Sequence, residues 1–311
     1  MIMGFIDQMR AKGHAVESIC RVLRQEGCQI AARTYRAWRR RSASARDTSD
    51  AVLLNVLHDL VGTPEGLYGR RKMTAWLRRE GHQVGAGRVD RLMRVAGMNG
   101  VRRGRPVRTT VPAKDGCRAG DLLNRDFTAA APNTKWVADF TYVRTWAGFV
   151  YVAFVLDCYS QRILAWHAAT AKTTPLVLTP LRIALWDRDR HGHPVQPGEL
   201  IAHSDAGSQY TSLRFAEHLA AEGIAASIGT VADAYDNALM ECVIGLYKTE
   251  CITTTIFHNG PYKTIADVEY ATAGWVEWYN NRRLHSSLAM TTPAEYETAY
   301  YANLNRELAP A

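Results

Sequence analysis

Residues 135–169, KWVADFTYVRTWAGFVYVAFVLDCYSQRILAWHAA, determine which fold we expect. Val, Tyr, Phe, Trp and Ile dominate three runs within it, at 135–146, 149–156 and 162–169. Runs of this composition are typical of β-strands, and the short turns between them join antiparallel neighbours. The stretch therefore predicts a three-stranded antiparallel meander.

The chain after the meander alternates between helical and extended patterns. We predict helices at 173–188, 211–222, 237–251 and 265–281, and short strands at 199–203 and 224–228. Strands that alternate with helices add parallel neighbours to a sheet and cover its faces. The sequence thus predicts an α/β fold, a ribonuclease-H-like mixed five-stranded sheet flanked by helices.

The chain before the meander is expected to be all-α. Apolar spacing predicts helices at 16–24 and 30–41 around Gly27, which fits a helix-turn-helix-like unit. An alternative is a helical hairpin whose basic face only meets solvent. A second unit of this kind is expected over 63–79 and 87–96. The predicted domains are a helical unit at 1–48, a second helix-turn-helix-like unit with a basic tether at 49–108, a linker at 109–132, a catalytic core at 133–300 and a tail at 301–311.

Charge divides the chain in two. Residues 1–130 carry 25 Lys and Arg against 12 Asp and Glu, whereas residues 131–311 carry 13 against 18. A basic front half suits a phosphate backbone, and an acidic half acting on a polyanion needs cations to offset its carboxylates. The residues that we expect to contact DNA are Arg33, Arg36, Arg39, Arg40, Arg71, Lys72, Arg102, Arg103, Arg105 and Lys248.

Nothing in the sequence indicates a membrane segment or a secretory signal. No run reaches the ~18 apolar residues of a membrane helix, and Asp7 and Arg10 interrupt the start. The six cysteines form no CxxC pair, which disfavours a zinc site. We predict a bacterial cytoplasmic protein with reduced thiols, associated with the nucleoid when bound to DNA.

Three acids lie within a strand, directly after a strand and near the start of a helix. Asp139 lies within the first predicted strand, Asp205 follows the fourth, and Glu241 lies in the first turns of a helix. Carboxylates are the ligands that Mg²⁺ and Mn²⁺ prefer, and three of them can hold two ions that activate an attacking oxygen and stabilise a leaving one. We predict these three as catalytic metal ligands. Asp157, at the end of the second strand, is an alternative auxiliary acid.

Lys248 follows Glu241 by seven residues on the same predicted helix. Seven helical residues make about two turns, which places both side chains on one face roughly 10 Å apart. A lysine there would hold a DNA phosphate beside the metal site. The alternative is a surface lysine paired with Glu250 or another acid.

Several motifs are similar to those of the integrase-core (DDE) transposases of bacterial insertion sequences, which share the retroviral integrase fold. They are Trp136-x-x-Asp139-x-Thr141-Tyr142, His203-Ser-Asp-x-Gly-Ser-Gln-Tyr-Thr-Ser212, Tyr235-Asp-Asn-Ala-x-x-Glu241, Gly245-Leu-Tyr-Lys-Thr-Glu250, Trp278-Tyr-Asn-Asn-Arg-Arg-Leu-His285 and Thr292-Pro-Ala-Glu295. Leu67-Tyr-Gly-Arg-Arg-Lys72 resembles the helix-turn-helix that precedes the core in that family. The chain resembles the second-reading-frame product of the members whose active enzyme is a frameshift fusion.

The resemblance implies a metal-dependent recombinase that cleaves element ends and transfers them to target DNA, with Asp139, Asp205 and Glu241 as ligands of two Mg²⁺ or Mn²⁺ ions. It also implies DNA as substrate, a homo-oligomer of at least two chains for synapsis, and fusion or partnership with the upstream-frame product. In the family's C-terminal motif, Arg282 and Arg283 are expected to contact DNA or another subunit, and the alternative is a packing role at the C-terminal end of a helix. Two alternatives stay open, a non-catalytic DNA-binding regulator of transposition and a hydrolytic nuclease of the same fold.

Overall fold

A computed structural model of the chain describes residues 2–102, 122–123, 126–205, 209–228 and 237–308. Contacts divide the chain into two compact units, one up to Val56 and one from Leu57 onward.

The first unit is built from short helices. They are α1 (Ile2–Ala11), α2 (Val16–Gln25), α3 (Ala32–Arg40) and the first part of α4 (Ala45–Asp59). Ile6, Ile19 and Tyr35 are buried together in its small core. The Tyr35 hydroxyl donates to Asp7 at 2.5 Å and accepts from Arg10 at 3.1 Å, which ties α3 to α1.

The second unit opens with a helical pair. A 3₁₀ turn at Pro64–Leu67 leads into α5 (Arg70–Arg79), and α6 (Ala86–Val95) packs against α5. The apolar faces repeat every three to four residues, so that Met73 and Leu77 are buried with Val89 and Leu92.

One mixed sheet forms the centre of the second unit. Its strands are β1 (Lys135–Thr145), β2 (Gly148–Asp157), β3 (Ile163–Ala169), β4 (Ile201–Ser204) and β5 (Ala225–Ile228). They lie in the order β3-β2-β1-β4-β5, antiparallel within the meander and parallel from β1 to β4 and β5. The predicted fold class is therefore confirmed.

Helices cover both faces of this sheet. α7 (Thr174–Arg190) and α8 (Leu213–Ala221) lie over the face that contains Trp136 and Val155. The other face meets α9 (Ala238–Leu246), a π-helical turn at Tyr247–Ile252 and α10 (Ile265–Asn281), where Phe154 packs on Tyr247 and Trp275. A 3₁₀ turn at Ser286–Leu288 and α11 (Pro293–Leu308) complete the chain.

Three expectations about organisation differ from the structure. The predicted boundary at residues 48 and 49 falls inside α4, because Ser44 and Asp47 bond to each other's backbone N–H at 3.1 Å and begin a helix just before it. α11 continues through residues 301–308, where we expected a tail. The predicted linker at 109–132 lies largely outside the described residues.

Among the helices that the structure describes, none combines the length and the apolar character that a membrane crossing requires.

Candidate active site

Asp139 and Asp205 lie at the point where the pairing of β1 with β4 ends. The parallel register pairs Ala138 with Ser204, and the residue that follows on each strand is an aspartate, Asp139 or Asp205. β4 ends at Ser204, so Asp205 leaves the sheet at a point where β1 continues. The carboxyl ends of parallel strands line the ligand crevice of such sheets. The backbone pairing therefore delivers both predicted carboxylates to one corner.

Glu241 approaches this corner from the helical layer. It lies in the first turn of α9, and its side chain is exposed. Asn237, which caps α9, donates from its side-chain amide to the Ala138 carbonyl at 3.3 Å, next to Asp139 on β1. The start of the helix is thereby bonded to the strand that carries the first aspartate. We call Asp139, Asp205 and Glu241 the acidic corner.

The acidic corner concentrates negative charge. Burial raises the pKa of Asp139 well above its usual range, and the charges of Asp205 and Glu241 raise it further. The Phe140 N–H, which donates to the Asp139 carboxylate at 2.7 Å, and the charge of Lys248 act in the opposite direction. The like-charge repulsion shows that the three acids share one electrostatic environment.

The three carboxylates of the acidic corner are donors that suit a hard divalent cation, although they do not form a close cluster. All three groups are carboxylates, which Mg²⁺ and Mn²⁺ prefer, and a cation would relieve their repulsion. Across the described parts of the chain, however, no three His, Cys, Asp or Glu side chains converge closely enough to hold a metal ion. The residues therefore fit a divalent metal in type and charge, and the charge of Glu241 reaches Asp139.

Lys248 stands beside the acidic corner. Its ammonium lies 5.0 Å from the centre of the Tyr142 ring, three residues along β1 from Asp139. Burial lowers the pKa of Lys248 and the charge of Asp139 raises it, which places the two groups within electrostatic reach. Glu250, the alternative partner, is bonded to Arg283 instead. Lys248 therefore lies within electrostatic reach of Asp139 rather than paired with Glu250.

Tyr210 is a residue of this site to which sequence reasoning assigned no role. Its ring is buried against Phe140 and Phe215, and its hydroxyl has no hydrogen-bond partner among the described residues. Burial raises the pKa of Tyr210 well above its usual range, and the charges of Asp139 and Asp205 add to that effect. Its place in the His203–Ser212 motif was visible in the sequence, but the direction of its hydroxyl was not.

Arg283 does not have the free side chain that a DNA contact needs. It is 4% exposed, and its guanidinium donates to the Glu250 carboxylate at 2.9 and 2.6 Å. Glu250 lies in the π-helical turn two residues after Lys248, and Trp275 also donates to it at 3.4 Å. The arginine thus anchors the element that carries Lys248, and the structure does not support its predicted contact with DNA.

Lys72 is likewise turned inward. Its ammonium lies 5.7 Å from the centre of the Tyr68 ring. Burial and the charge of Arg283 lower the pKa of Lys72 to about 7. The Tyr68 hydroxyl accepts from the Leu284 N–H at 3.0 Å and donates to the Arg282 carbonyl at 3.2 Å. The start of α5 is therefore joined to the end of α10, and Lys72 is part of that junction rather than an exposed DNA contact.

The other predicted DNA contacts differ from Arg283 and Lys72 in exposure and pairing. Arg36 pairs with Glu17, and Arg282 is half-exposed between Glu65 and Glu277. Arg103 and Arg105 lie outside the described residues. The remaining ones, which are exposed, are Arg33, Arg39, Arg40, Arg71 and Arg102.

Asp157, the alternative auxiliary acid, belongs to a different network. It pairs with Trp136 at the opposite end of β1 from the hairpin, where it accepts from the Asn133 N–H at 2.8 Å and the Trp136 indole at 3.2 Å. Arg188 lies 3.6 Å away. The acid is therefore a structural group, and the expectation that it supports the metal ligands is wrong.

Family comparisons agree with this arrangement. The family described as "Integrase core domain" matches residues 129–234, and a second family of the same description matches residues 222–293. The family described as "HTH-like domain" matches residues 52–106. Among solved structures, the magnesium complex of the HTLV-2 integrase catalytic core is 15% identical with a TM-score of 0.37, covering 54% of this chain and 98% of that one. A likeness so distant carries no conclusion.

Curated relatives are much closer in sequence. A putative transposase for insertion sequence element IS986/IS6110 of Mycobacterium tuberculosis H37Rv is 45% identical over 90% of this chain and 99% of the relative. The transposase for IS629 of Shigella sonnei is 44% identical over 85% of each chain. The putative transposase for IS150 of Escherichia coli K12 is 32% identical over 76% of this chain and 79% of the relative. The chain therefore belongs to the integrase-core transposases of insertion sequences.

Proposed function

We propose that this chain cuts one DNA strand at each end of an insertion sequence and joins the freed 3′-hydroxyl to target DNA, using divalent metal ions held by Asp139, Asp205 and Glu241. The single observation that carries the proposal is the register of β1 and β4. Ala138 pairs with Ser204, so that the residues that follow them, Asp139 and Asp205, come from adjacent strands, and the charges of Asp205, Glu241 and Lys248 act on Asp139. No side chain is required as a covalent nucleophile.

Each residue has a distinct part in this scheme. Asp139 presents its carboxylate from within β1 and Asp205 from directly after β4, and positions on or next to strands hold their direction more firmly than a loop would. Glu241 presents its carboxylate from the first turn of α9, close enough to act on Asp139 by charge. When bound, two divalent ions would activate the attacking oxygen and stabilise the leaving one. Lys248 would hold the phosphate of the strand beside the acids.

Activity on DNA tests the proposal directly. Wild-type chain and the variants Asp139→Asn, Asp205→Asn and Glu241→Gln would be incubated with labelled duplexes that carry the inverted repeats flanking the gene, with Mg²⁺ or Mn²⁺. We expect each variant to lose cutting and joining by about a hundred-fold or more, since metal stabilisation of charge is worth several kcal/mol. Asp187→Asn, on α7 beside His191, is the matched control and should retain activity.

The pattern of products separates the alternatives. Wild-type protein that cuts but never joins would be a hydrolytic nuclease, and protein that binds ends but never cuts them, even when fused to its upstream partner, would be a regulator. Full activity in Asp205→Asn would rule out the proposed ligand set.

Metal binding can also be measured without DNA. A ligand that binds only the folded protein raises its melting temperature. We expect Mn²⁺ to raise the melting temperature of the wild type and of Asp187→Asn, but to raise that of Asp205→Asn much less. Equal shifts in all three proteins would place the metal elsewhere.

We propose further that α5 and α6, with Arg71 and Arg102, contact the DNA backbone, and that two or more chains join to hold two ends. Exposed arginines neutralise phosphates without reading sequence. Partnership with an upstream-frame product rests on the family resemblance. Comparing this chain alone with the same chain co-expressed with that product would test it, because the partnership predicts end-specific binding only in the mixture.

A further inference from the structure

Three exposed aromatic side chains surround the β1–β2 turn. Tyr142 is 39% exposed, Trp146 is 73% exposed and Phe149 is 50% exposed. The Phe149 ring meets the Tyr142 ring edge to face, with centroids 5.3 Å apart. Rings this exposed do not serve the core, and their grouping distinguishes them from scattered surface residues. We call Tyr142, Trp146 and Phe149 the hairpin rings.

Cations accompany two of the hairpin rings. The Lys248 ammonium lies 5.0 Å from the Tyr142 centroid, and the Lys263 ammonium lies 5.5 Å from the Trp146 centroid. The 17 residues from 140 to 156 contain one Arg and no Asp or Glu, in a half of the chain where acids outnumber bases. Asp267, the acid that follows Lys263 on α10, accepts from the Lys263 and Thr264 backbone N–H groups. The surface is therefore aromatic and positive.

The turn that carries these rings is held in place. The Trp146 and Ala147 N–H groups donate to the carbonyls of Tyr262 and Lys263 at 3.0 Å each. Gly148 completes the turn with φ +122°, a conformation that residues with a side chain rarely adopt. The surface is thus presented on a hydrogen-bonded turn.

The hairpin rings lead away from the acidic corner. β4 pairs with β1 only as far as Ala138, so from Asp139 onward no described strand covers that edge of β1. Tyr142 follows Asp139 by three residues, or about 10 Å of strand, which is the length of about three stacked nucleotides. Lys248 connects the hairpin rings with the acidic corner. Its ammonium lies over the Tyr142 ring, and the charge of Asp139 acts to raise its pKa.

We propose that the hairpin rings, with Lys248 and Lys263, bind unpaired nucleotides of the DNA strand that enters the acidic corner. Exposed rings beside cations are the means by which proteins hold single strands, since bases stack on the rings and phosphates meet the cations. Duplex DNA hides the faces of its bases, so this surface favours strands whose ends have opened. The identity of the strand rests on the proposed function, whereas the preference for unpaired bases does not.

The test compares single-stranded and duplex DNA with full-length protein. Binding of a fluorescent oligonucleotide, alone or in a blunt duplex of the same sequence, would be measured in EDTA. We expect Tyr142→Ala, Trp146→Ala and Phe149→Ala each to weaken single-strand binding by about five-fold or more, as loss of one stacked base implies. Duplex binding should change by less than about two-fold. Because stacking is not ionic, the ratio should persist at about 0.2 M salt, where phosphate contacts weaken.

The chain offers a matched control. Trp186 on α7 is 57% exposed and has the Arg190 guanidinium 5.1 Å from its ring, so it is another ring with its own cation. Trp186→Ala should leave both affinities unchanged, and Trp146→Phe should retain most single-strand binding because a flat ring remains.

Two results would overturn the proposal. One is equal loss of single-strand and duplex binding in the ring variants, which would indicate general DNA attraction. The other is unchanged DNA binding with an altered oligomeric state, which would make the surface a protein interface. Asp205→Asn should bind single strands like the wild type, so a failure of the metal-site proposal in the cutting assay would leave this result intact.

Discussion

Two regions of the second unit differ in the charges that surround their carboxylates. In one region the carboxylates face arginines, and in the other they face further acids. Glu250 and Glu297 each face an arginine in the interior, and charge-assisted hydrogen bonds from Arg283 and Arg188 satisfy them. The acidic corner instead brings carboxylates toward one another. Glu250 and Glu297 therefore each have an arginine as counter-charge, whereas the strongest charge effects on Asp139 come from other acids. Under the proposed function, this difference distinguishes carboxylates that stabilise the fold from carboxylates that bind metal.

The pKa directions express the same contrast. Burial raises the pKa of Glu297, but the bonds and charge of Arg188 outweigh it and leave that pKa below its usual value. At Asp139 burial and two neighbouring acids act together. Ionised Glu297 therefore stabilises the fold, whereas ionised Asp139 destabilises it. A bound divalent cation would offset the destabilising charge of Asp139.

The sharpest way to break this comparison is Asp139→Asn. We expect activity to fall by about a hundred-fold or more, because a ligand of the proposed metal site is lost. Stability should rise slightly in the same variant, since one of three repelling charges disappears, and a gain of about 1 kcal/mol raises a melting temperature by about 2–4 °C. Calorimetry in EDTA together with the cutting assay would measure both. A clear loss of stability would mean that Asp139 is a structural acid.

Removing Arg283 should have the largest effect on folding. Arg283→Met leaves Glu250 buried without its cation, which costs about 3–5 kcal/mol. Urea unfolding would measure this free energy. Arg79→Ala is the control, because Arg79 pairs with Glu295 at the surface, where such pairs are worth about 0–1 kcal/mol.

A double variant distinguishes charge from packing at this site. Arg283→Met combined with Glu250→Gln removes both charges, and we expect it to recover part of the lost stability. If the double variant were as unstable as the two single losses together, contacts of the Arg283 chain with Trp278 and Tyr279 would dominate instead.

Glu297→Gln should have a smaller effect that depends on pH. The carboxylate accepts from Ser160 at 2.9 Å, Arg162 at 3.1 Å and Arg188 at 3.0 Å, so we expect a loss of about 2–3 kcal/mol at neutral pH. Because its pKa is lowered on folding, its stabilisation is complete above the unfolded value of about 4.3 and is lost as the pH falls below it. Melting temperatures from pH 3 to 7 should therefore converge between variant and wild type in acid.

The sequence predicted most of the sheet because strand composition is a local pattern, and the predicted first strand ends within one residue of β1. The three acids were predicted from their residue type and motifs, and their role as ligands stays a prediction. The register that brings Asp139 and Asp205 from adjacent strands could not be read from the sequence. α1 and α4 were not predicted, and the start of α4 lies in a polar stretch, residues 42–49, that lacks an apolar repeat.

Neighbouring residues of one type show where sequence reasoning fails. Arg282 and Arg283 are adjacent and chemically identical, but only Arg282 is open to solvent. Which one turns inward depends on Glu250, some thirty residues earlier, and on the path of the chain after α10. Composition reports that a positive cluster exists, whereas only the fold reports which members are already paired.

The smallest expected effect concerns Lys72, a half-buried cation that lies near another cation, Arg283. Burial lowers its pKa most, the charge of Arg283 lowers it further, and Glu250 opposes them. Its pKa of about 7 is below the unfolded value, so the charged form is disfavoured on folding; the penalty is complete below pH 7 and disappears as the pH rises toward 10.4. Lys72→Met should therefore stabilise the protein by about 1–2 kcal/mol at pH 6, after allowance for partial exposure, and by little at pH 10. Urea unfolding at both values would measure this. A destabilised variant at pH 6 would show that the ammonium is paired with Glu250 rather than repelled by Arg283.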